Sequence, residues 1–456
     1  MQNSIAWPHD SGNEMNACDE RKRVAIATLG CKVNQYESSA LAGKFEKRGY
    51  EVVSFTAEAD VYVINTCTVT GRSDYQSRQL IRRAARRNPG AIIVVTGCYA
   101  QVAPQELEAM PEVTLIAGSV EKMTLPERID ALAGGRREVQ VGDIWQVKEM
   151  DFHAAPSFPG HTRAFLKIQD GCDASCSYCI VPRARGKSRS LPVEDVLEEI
   201  RFLCRSGYRE VVLTGIHLGL YGKDLGTSGQ LLDILKAVEE EALVSRLRLS
   251  SLEPAEVTDE LIAFAAESRV LCPHFHIPLQ SGDDGILSAM KRTYDRAFFR
   301  GLIDKIRADI PRAAIGVDVM TGFPGEDENA FRNTFDLIEA LPLTYLHVFP
   351  YSKRPGTPAA TMGGQVGEKT KKERAEMLRQ LGMRKKEAFA RSFVGAETAV
   401  LIEGKEGKGE NSMQGLTDNY LTVLIDRNDP ALVNQIVPVV ITGEKDGCLI
   451  GRVAHD

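Results

Sequence analysis

The chain has no stretch approaching the roughly eighteen consecutive apolar residues of a membrane-spanning helix. An integral membrane protein, and membrane as a partner, are set aside on that ground. Its first twenty residues are polar and hold no apolar h-region, so no secretory leader is expected. A surplus of positive charge is lacking too: 56 lysines and arginines face 62 acids, for a formal net charge of −6. Composition alone therefore announces no polyanionic partner. A 456-residue chain that is 43% hydrophobic has core enough to need no disulfide staples. Its ten cysteines are expected to be reduced thiols in a cytoplasmic protein, and clustered ones read as metal ligands.

Three of them form Cys172-x-x-x-Cys176-x-x-Cys179. Three thiolates on one short loop can hold three irons of a four-iron cluster and leave the fourth open for chemistry. Four-cysteine ligation closes every iron and serves electron transfer. Zinc is the alternative, but structural zinc takes a second Cys-x-x-Cys pair or nearby histidines, and no such pair follows. The loop comes just after a strand-like run at 165–168. Cys204 and Cys448 read as buried filler, and Cys18 and Cys272 also stand alone.

Three more cysteines each close a β-like run: 24–29 ends at Gly30-Cys31, 61–64 at Asn65-Thr66-Cys67, and 91–96 at Gly97-Cys98. Helix-like stretches at 37–47 and 73–87 separate the runs. Apolar strands alternating with helices predict a doubly wound parallel sheet, whose ligands gather at the strands' carboxyl edges. Cysteines at three such edges can converge as a second three-thiolate site; coincidental core cysteines would scatter within strands.

The expected organisation is α/β throughout. An aperiodic N-terminal extension occupies 1–22, and the sheet domain 23–135 closes at Gly134-Gly135. A linker at 136–159 is rich in proline and small residues over 152–159. Six strand-like runs follow, at 165–168, 210–213, 247–249, 275–279, 315–320 and 346–349. Helical stretches at 193–206, 230–240, 259–266, 296–308 and 328–341 lie between them. Six β/α units predict a partial (β/α)6 barrel with Cys172 at its carboxyl mouth. A charged helix at 369–391 completes the core, 160–392. Residues 393–456 read as a small antiparallel barrel with strands at 398–402, 421–425, 436–442 and 448–452. Such five-stranded barrels often bind nucleic acid, although this one is acidic overall.

The loop from Cys172 to Cys179, with Tyr178 before its last cysteine, resembles the radical S-adenosylmethionine signature. Together with the earlier cysteine trio and the terminal barrel, nearly everything after residue 22 resembles the radical S-adenosylmethionine methylthiotransferases. These carry an N-terminal cluster domain and a C-terminal TRAM domain. Residues 28–38, TLGCKVNQYES, and 65–70, NTCTVT, resemble the branch acting on threonylcarbamoyladenosine in tRNA. The isopentenyladenosine branch and the branch modifying a ribosomal protein carry other residues after the first cysteine. The resemblance implies two [4Fe-4S] clusters and S-adenosylmethionine as cofactors, with methylthiolation at C2 of adenosine 37. Cys172, Cys176 and Cys179 would hold S-adenosylmethionine at an open iron, and its cleavage would give a radical that abstracts the C2 hydrogen. Cys31, Cys67 and Cys98 would hold sulfur methylated by a second S-adenosylmethionine. Flavodoxin or ferredoxin would supply electrons.

Other positions read beside this. Tyr178, Thr214 and Gly215 are candidates for the cofactor, the last two at a strand end suited to a methionyl amino group. Ser251 and Glu253 could meet ribose hydroxyls, Glu253 alternatively capping a helix, and Gln280 is a further candidate. Asp318 and Glu326 are secondary ones, and residues 348–352 could face adenine. His217, His274, His276 and His347 read as hydrogen-bonded structural residues. Positive charge is local. Arg72, Arg78, Arg82, Arg83, Arg86 and Arg87 load the helix after Cys67, and Lys371, Lys372, Arg374, Arg379, Arg384, Lys385 and Lys386 load the last long one. Either face could simply be solvated. Arg183, Arg185 and Arg189 follow the cluster loop and are the candidates for RNA phosphate. An anticodon loop, with unstacked bases, is the expected partner. The rival from another class is a non-catalytic iron–sulfur RNA-binding or redox-sensing protein, which leaves the open iron without a use.

Overall fold

The computed structural model describes residues 21–132, 136–153, 158, 161–226, 230–406 and 412–454. Most of the N-terminal extension, the Gly134-Gly135 pair and part of the linker lie outside the described residues. The chain forms two compact units. The first comprises residues up to Gly160 with 165–174 and 179–191, and the second comprises 161–164, 175–178 and everything from Pro192.

In the first unit the apolar runs form a parallel sheet. Its strands are β1 (Arg23–Thr28), β2 (Glu51–Val53), β3 (Val61–Thr66), β4 (Ile92–Gly97), β5 (Leu115–Ala117) and β6 (Glu138–Gln140). Their order is β2-β1-β3-β4-β5-β6, every pairing parallel. β3 is buried at each residue, as befits a strand covered on both faces. Tyr62, Ile64, Ile93, Val95 and Ile116 from these strands join Ile81 and Ala84 of α2 (Gly71–Arg87) in one core. The Thr70 side chain accepts from the Ser73 N–H at the start of α2, a cap worth about 1 kcal/mol. α1 (Lys32–Lys47) begins five residues before the expected 37, with Cys31 as its N-cap. β2, β5 and β6 are three residues each, too short for a hydrophobic period to reveal.

The second unit carries parallel strands at Glu210–Thr214, Arg246–Leu249, His274–His276, Ala314–Thr321 and Tyr345–Pro350. Leu247 also bridges Leu271 in parallel, linking the second strand to the approach to the third. The strand Arg163–Lys167 forms where the run at 165–168 was expected, its residues from Phe165 on belonging to the first unit. The five expected helices appear within two residues of their expected ends, and a short one, Asp284–Ala289, is added. After the helix Glu368–Arg391 come five strands: Glu397–Glu406, Met413–Thr417, Thr422–Ile425, Ile436–Lys445 and Cys448–Val453. They form a closed barrel around Val400, Ile402, Val423, Ile425, Val439 and Ile441. Closure removes the free edges that an open sheet would expose. Among the described residues no helix is long and apolar enough to cross a membrane.

One expectation fails on this helix. Lys371 is buried, donating to the Tyr351 carbonyl and pairing with Glu368, and Arg374 is buried against Glu326 at 2.8 Å. Lys385 donates to the Leu341 carbonyl at 2.7 Å. These three cations hold the helix to its own unit; of the other four, Lys372, Arg379 and Arg384 are exposed and Lys386 is half-buried.

Candidate active site

β1, β3 and β4 are adjacent, so the residues just past their carboxyl ends, Cys31, Cys67 and Cys98, meet at one edge of the sheet. Gly30 has φ +102°, and a Cβ there would fall 2.8 Å from the Cβ of Cys67, so glycine lets the two segments touch. Asn34 and Asn65 lace the edge. The Asn34 amide donates to the Leu29 and Thr66 carbonyls, and that of Asn65 to the Asn34 carbonyl and the Ser38 hydroxyl. Burial pushes the Cys67 thiol up to about 12, and the Cys98 and Cys31 sulfurs add to the shift. Three sulfurs this close cannot all ionise cheaply unless a cation neutralises them. The donor set therefore suits a thiophilic metal group.

Beside Cys98 lies a fully buried arginine. Arg185 places Nε 3.4 Å from the Cys98 sulfur, Nη1 2.5 Å from Glu37 Oε1 and 3.4 Å from Asp170 Oδ2, and Nη2 2.5 Å from Asn34 Oδ1. Lys122 also pairs with Glu37, and Lys167 bridges Glu37 at 3.2 Å and Asp170 at 3.4 Å. Burial alone would raise the Glu37 carboxyl, but Arg185, Lys122 and Lys167 overcome it and hold that group well below its usual range. Sequence reading missed Glu37, Lys122, Lys167 and Asp170. Glu37 lies in α1, Lys122 in a short turn, and Lys167 and Asp170 in the strands before the cluster loop, and a lone charge in a run carries no signal of a distant partner.

The expected RNA ligands divide accordingly. Arg185 has no exposed surface, and Arg189 is buried, reaching Asp170 at 3.6 Å and the Lys187 carbonyl at 3.1 Å. Both are removed from the list of phosphate candidates, because carboxylates inside the unit already hold them. Arg183 is exposed and lines a surface cleft with Val141, Ile144 and Trp145, whose ring is 47% exposed. On α2, Arg72, Arg82, Arg83 and Arg86 are exposed, whereas Arg78 donates to Tyr99 and Arg87 to the Phe55 carbonyl.

The loop from Cys172 to Cys179 is anchored within each unit. In the first, the Cys172 N–H donates to the Gly186 carbonyl at 3.0 Å, and the Ala174 N–H points at the Cys172 sulfur at 3.4 Å. Gly171 has φ +75°, and a Cβ on it would sit 1.8 Å from the Lys187 carbonyl oxygen. Forcing a side chain into that conformation costs about 1–3 kcal/mol before the collision is counted. Gly171→Ala is expected to lower the thermal midpoint and to weaken S-adenosylmethionine cleavage together, measured by thermal unfolding and by deoxyadenosine release. In the second unit, Ser177 is fully buried. Its N–H donates to the Met290 carbonyl, its hydroxyl to that of Ala289, and its own carbonyl accepts from Ala359.

Arg292 joins several second-unit candidates. Its Nη1 lies 3.3 Å from the Cys176 sulfur, Nη2 pairs with Glu253, and its guanidinium stacks 5.1 Å from the Tyr294 ring centroid. Burial works against its charge, but Tyr294, Tyr178 and Cys176 outweigh that and raise its pKa. Glu253 also takes part in a capping box with Glu256, so the alternative helix-cap role is realised as well. Thr214 is buried at its strand end, Gly215 half-buried and Ser251 exposed. Gln280 has φ +62° and joins the strand Ala314–Thr321 through the Asp318 carbonyl and the Met320 N–H. Tyr178 packs edge-on to Phe323.

The histidines are hydrogen-bonded, as expected. His217 meets Glu256 at 2.6 Å, and His274 and His276 both reach the Tyr345 hydroxyl. His276 and His347 share Asp318 Oδ1 at 3.0 and 3.3 Å. Burial opposes the Asp318 charge, but these two imidazoles hold its carboxyl well below the usual range. The three donor atoms lie within 4.8 Å of one another, a spacing that could also take a divalent ion.

Comparison with known proteins fits this arrangement. The Radical SAM superfamily matches residues 166–338, and the Uncharacterized protein family UPF0004 matches residues 23–118. A solved radical S-adenosylmethionine methyltransferase, TsrM from Kitasatospora setae, superposes with a TM-score of 0.54 at 17% identity. The match covers 75% of this chain and 77% of that one, a likeness of fold. Strands, loop and superfamily match together define a radical S-adenosylmethionine enzyme. The threonylcarbamoyladenosine tRNA methylthiotransferase MtaB of Bacillus subtilis is 42% identical over 92% of this chain and 93% of its own. The tRNA-2-methylthio-N(6)-dimethylallyladenosine synthase of Pelotomaculum thermopropionicum is 34% identical over 95% and 98%. The chain belongs to the tRNA methylthiotransferase family of radical S-adenosylmethionine enzymes. S-adenosylmethionine and [4Fe-4S] clusters are the cofactors of that chemistry, and tRNA is its substrate.

Proposed function

We propose that this enzyme transfers a methylthio group to C2 of N6-threonylcarbamoyladenosine at position 37 of tRNA, in the cytoplasm. The observation that carries the reading is the meeting of Cys31, Cys67 and Cys98 at one sheet edge, in a chain that also holds the Cys172, Cys176 and Cys179 loop. One three-thiolate set would bind the cluster that chelates S-adenosylmethionine, and the other the cluster that keeps the sulfur to be delivered. Bound there, the cofactors supply radical and sulfur-transfer chemistry that no side chain provides.

The chain's own residues bind and orient. Tyr178, Thr214, Gly215, Ser251, Glu253 and Gln280 are the proposed contacts for S-adenosylmethionine, with Arg292 fixing Glu253 beside Cys176. Residues 23–135, their sheet completed by β6 from the expected linker, would form the sulfur-cluster domain, 160–392 the radical core and 393–456 the TRAM domain. Arg183 with Trp145, and the exposed arginines of α2, would meet the RNA, since guanidinium and indole faces take phosphate and unstacked bases. A flavodoxin- or ferredoxin-type donor would supply electrons.

The threonylcarbamoyl substrate rests on the 42% identical relative; the 34% identical one supplies the second reading, a dimethylallyl substrate. Mass spectrometry of tRNA nucleosides from cells with and without the gene separates them. Loss of 2-methylthio-N6-threonylcarbamoyladenosine on deletion, restored by this chain, is the expected result. Loss of the dimethylallyl counterpart instead overturns the substrate assignment. Cys176→Ala is expected to abolish deoxyadenosine release while about half of the chain's iron remains; loss of all iron would contradict two separate clusters. A non-catalytic binder would release no deoxyadenosine even as wild type.

A further inference from the structure

The ion pairs around Arg185 match four buried cations, Lys122, Lys167, Arg185 and Arg189, to two carboxylates, Glu37 and Asp170. Removing charge from water costs several kcal/mol per ion unless it is paired and hydrogen-bonded. The excess of cations therefore calls for an anion. Arg185 shows where: of its three nitrogens, Nη1 and Nη2 are taken by Glu37, Asp170 and Asn34, while Nε is aimed at the Cys98 sulfur at 3.4 Å. Paired with Glu37 and Asp170, the guanidinium is held in place as a cation.

We infer that Arg185 is a positioning residue for the group held by Cys31, Cys67 and Cys98, and that it sets how readily that group accepts an electron. The inference rests on the cluster reading given above. A three-thiolate iron–sulfur group gains one negative charge on reduction. A fixed cation donating to one of its sulfurs stabilises the reduced form more than the oxidised one, in a medium where screening is weak. Glu37 acts in the opposite sense. It clamps the guanidinium in place and contributes a negative charge of its own. Neither residue touches substrate; both act through the Cys98 sulfur.

The test uses the full-length chain with Cys172, Cys176 and Cys179 replaced by alanine, so that any remaining cluster signal comes from the other site. Potentiometric titration followed by electron paramagnetic resonance is run on this background and on its Arg185→Gln, Arg185→Lys and Glu37→Gln derivatives. Arg185→Gln should disfavour reduction by tenfold or more, about 59 mV or more toward negative potential for one electron. Glu37→Gln should shift it in the opposite direction, and Arg185→Lys should fall between wild type and Arg185→Gln. Opposite signs from two buried partners are what charge predicts and what mere loosening of the fold does not. Should Arg185→Gln fail to hold iron, Glu37→Gln and Arg185→Lys decide the matter. Unchanged potentials in the iron-bearing variants overturn the role of Arg185 while the cluster reading stands. An iron-free background chain overturns the cluster reading, and the inference with it.

Discussion

Cys67→Ala is expected to leave S-adenosylmethionine cleavage running while methylthio product falls to background. The separation follows from where each set of thiolates is anchored. Cys67 closes β3, and its surroundings are the β1 and β4 edges with Asn34 and Asn65. The cluster loop is fixed by other contacts, Cys172 to Gly186 and Ser177 to Ala289, Met290 and Ala359, none of which involves Cys67. The substitution removes a buried sulfur without adding bulk, so the parallel sheet, centred on the fully buried β3, should persist. Deoxyadenosine and methylthio nucleoside are measured from one incubation of the reduced protein with tRNA. Undiminished methylthio product would sink the sulfur-delivering role of the trio. Loss of deoxyadenosine as well would show that the two sites do not load independently.

The trio was legible in the sequence because a parallel sheet turns a one-dimensional pattern into a place. Residues after Thr28, Thr66 and Gly97 must share an edge once those strands pair in register. The barrel helices were legible for a similar reason, as periodic runs, three of them opened by a side-chain cap: Thr258 before Asp259, Asp295 before Arg296 and Asp327 before Glu328. Met413–Thr417 escaped because Gly415 interrupts an already short run, and the closed barrel supplies the pairing its propensity lacks. The fate of Arg185 was not legible at all. The segment Arg183-Ala184-Arg185-Gly186-Lys187 reads as a cationic loop, and whether each guanidinium faces solvent depends on Glu37 and Asp170, distant in sequence. Charge along a chain says how many cations there are; burial says which of them are spent.

The same principle predicts the largest stability effect in the second unit. Arg248 is fully buried and holds Glu210 at 2.7 Å, while its Nη atoms donate to the carbonyls of Thr417 and Asp418 and its guanidinium lies 4.9 Å from the Tyr420 ring centroid. Arg246 makes parallel bonds to the carbonyls of Leu416 and Ala399. Arg248→Met keeps the volume but takes from the fully buried Glu210 its nearest cation, leaving Arg246 at 3.8 Å, and takes from the Asp418 carbonyl its Arg248 donor. Breaking one side of a buried ion pair costs about 3–5 kcal/mol, so the denaturation midpoint at pH 7 should fall sharply. Adding Glu210→Gln should recover much of the loss, since a neutral side chain has no charge to leave unpaired. The pH dependence gives an independent check. Burial alone would raise the Glu210 carboxyl, but Arg248, with Arg163 and Arg246 behind it, lowers its pKa in the folded wild type. A carboxyl with a depressed folded pKa contributes stability above its unfolded pKa of about 4.3 and loses it as pH falls through the folded value. Without Arg248 the largest part of that contribution is lost, and only Arg163 and Arg246 still oppose burial. The gap between wild type and Arg248→Met should therefore be widest near pH 7 and narrow below about pH 4.3, where the wild type loses what the variant has already lost. A gap that stays constant with pH would assign the cost to packing and to the lost carbonyl hydrogen bonds rather than to the Glu210 charge.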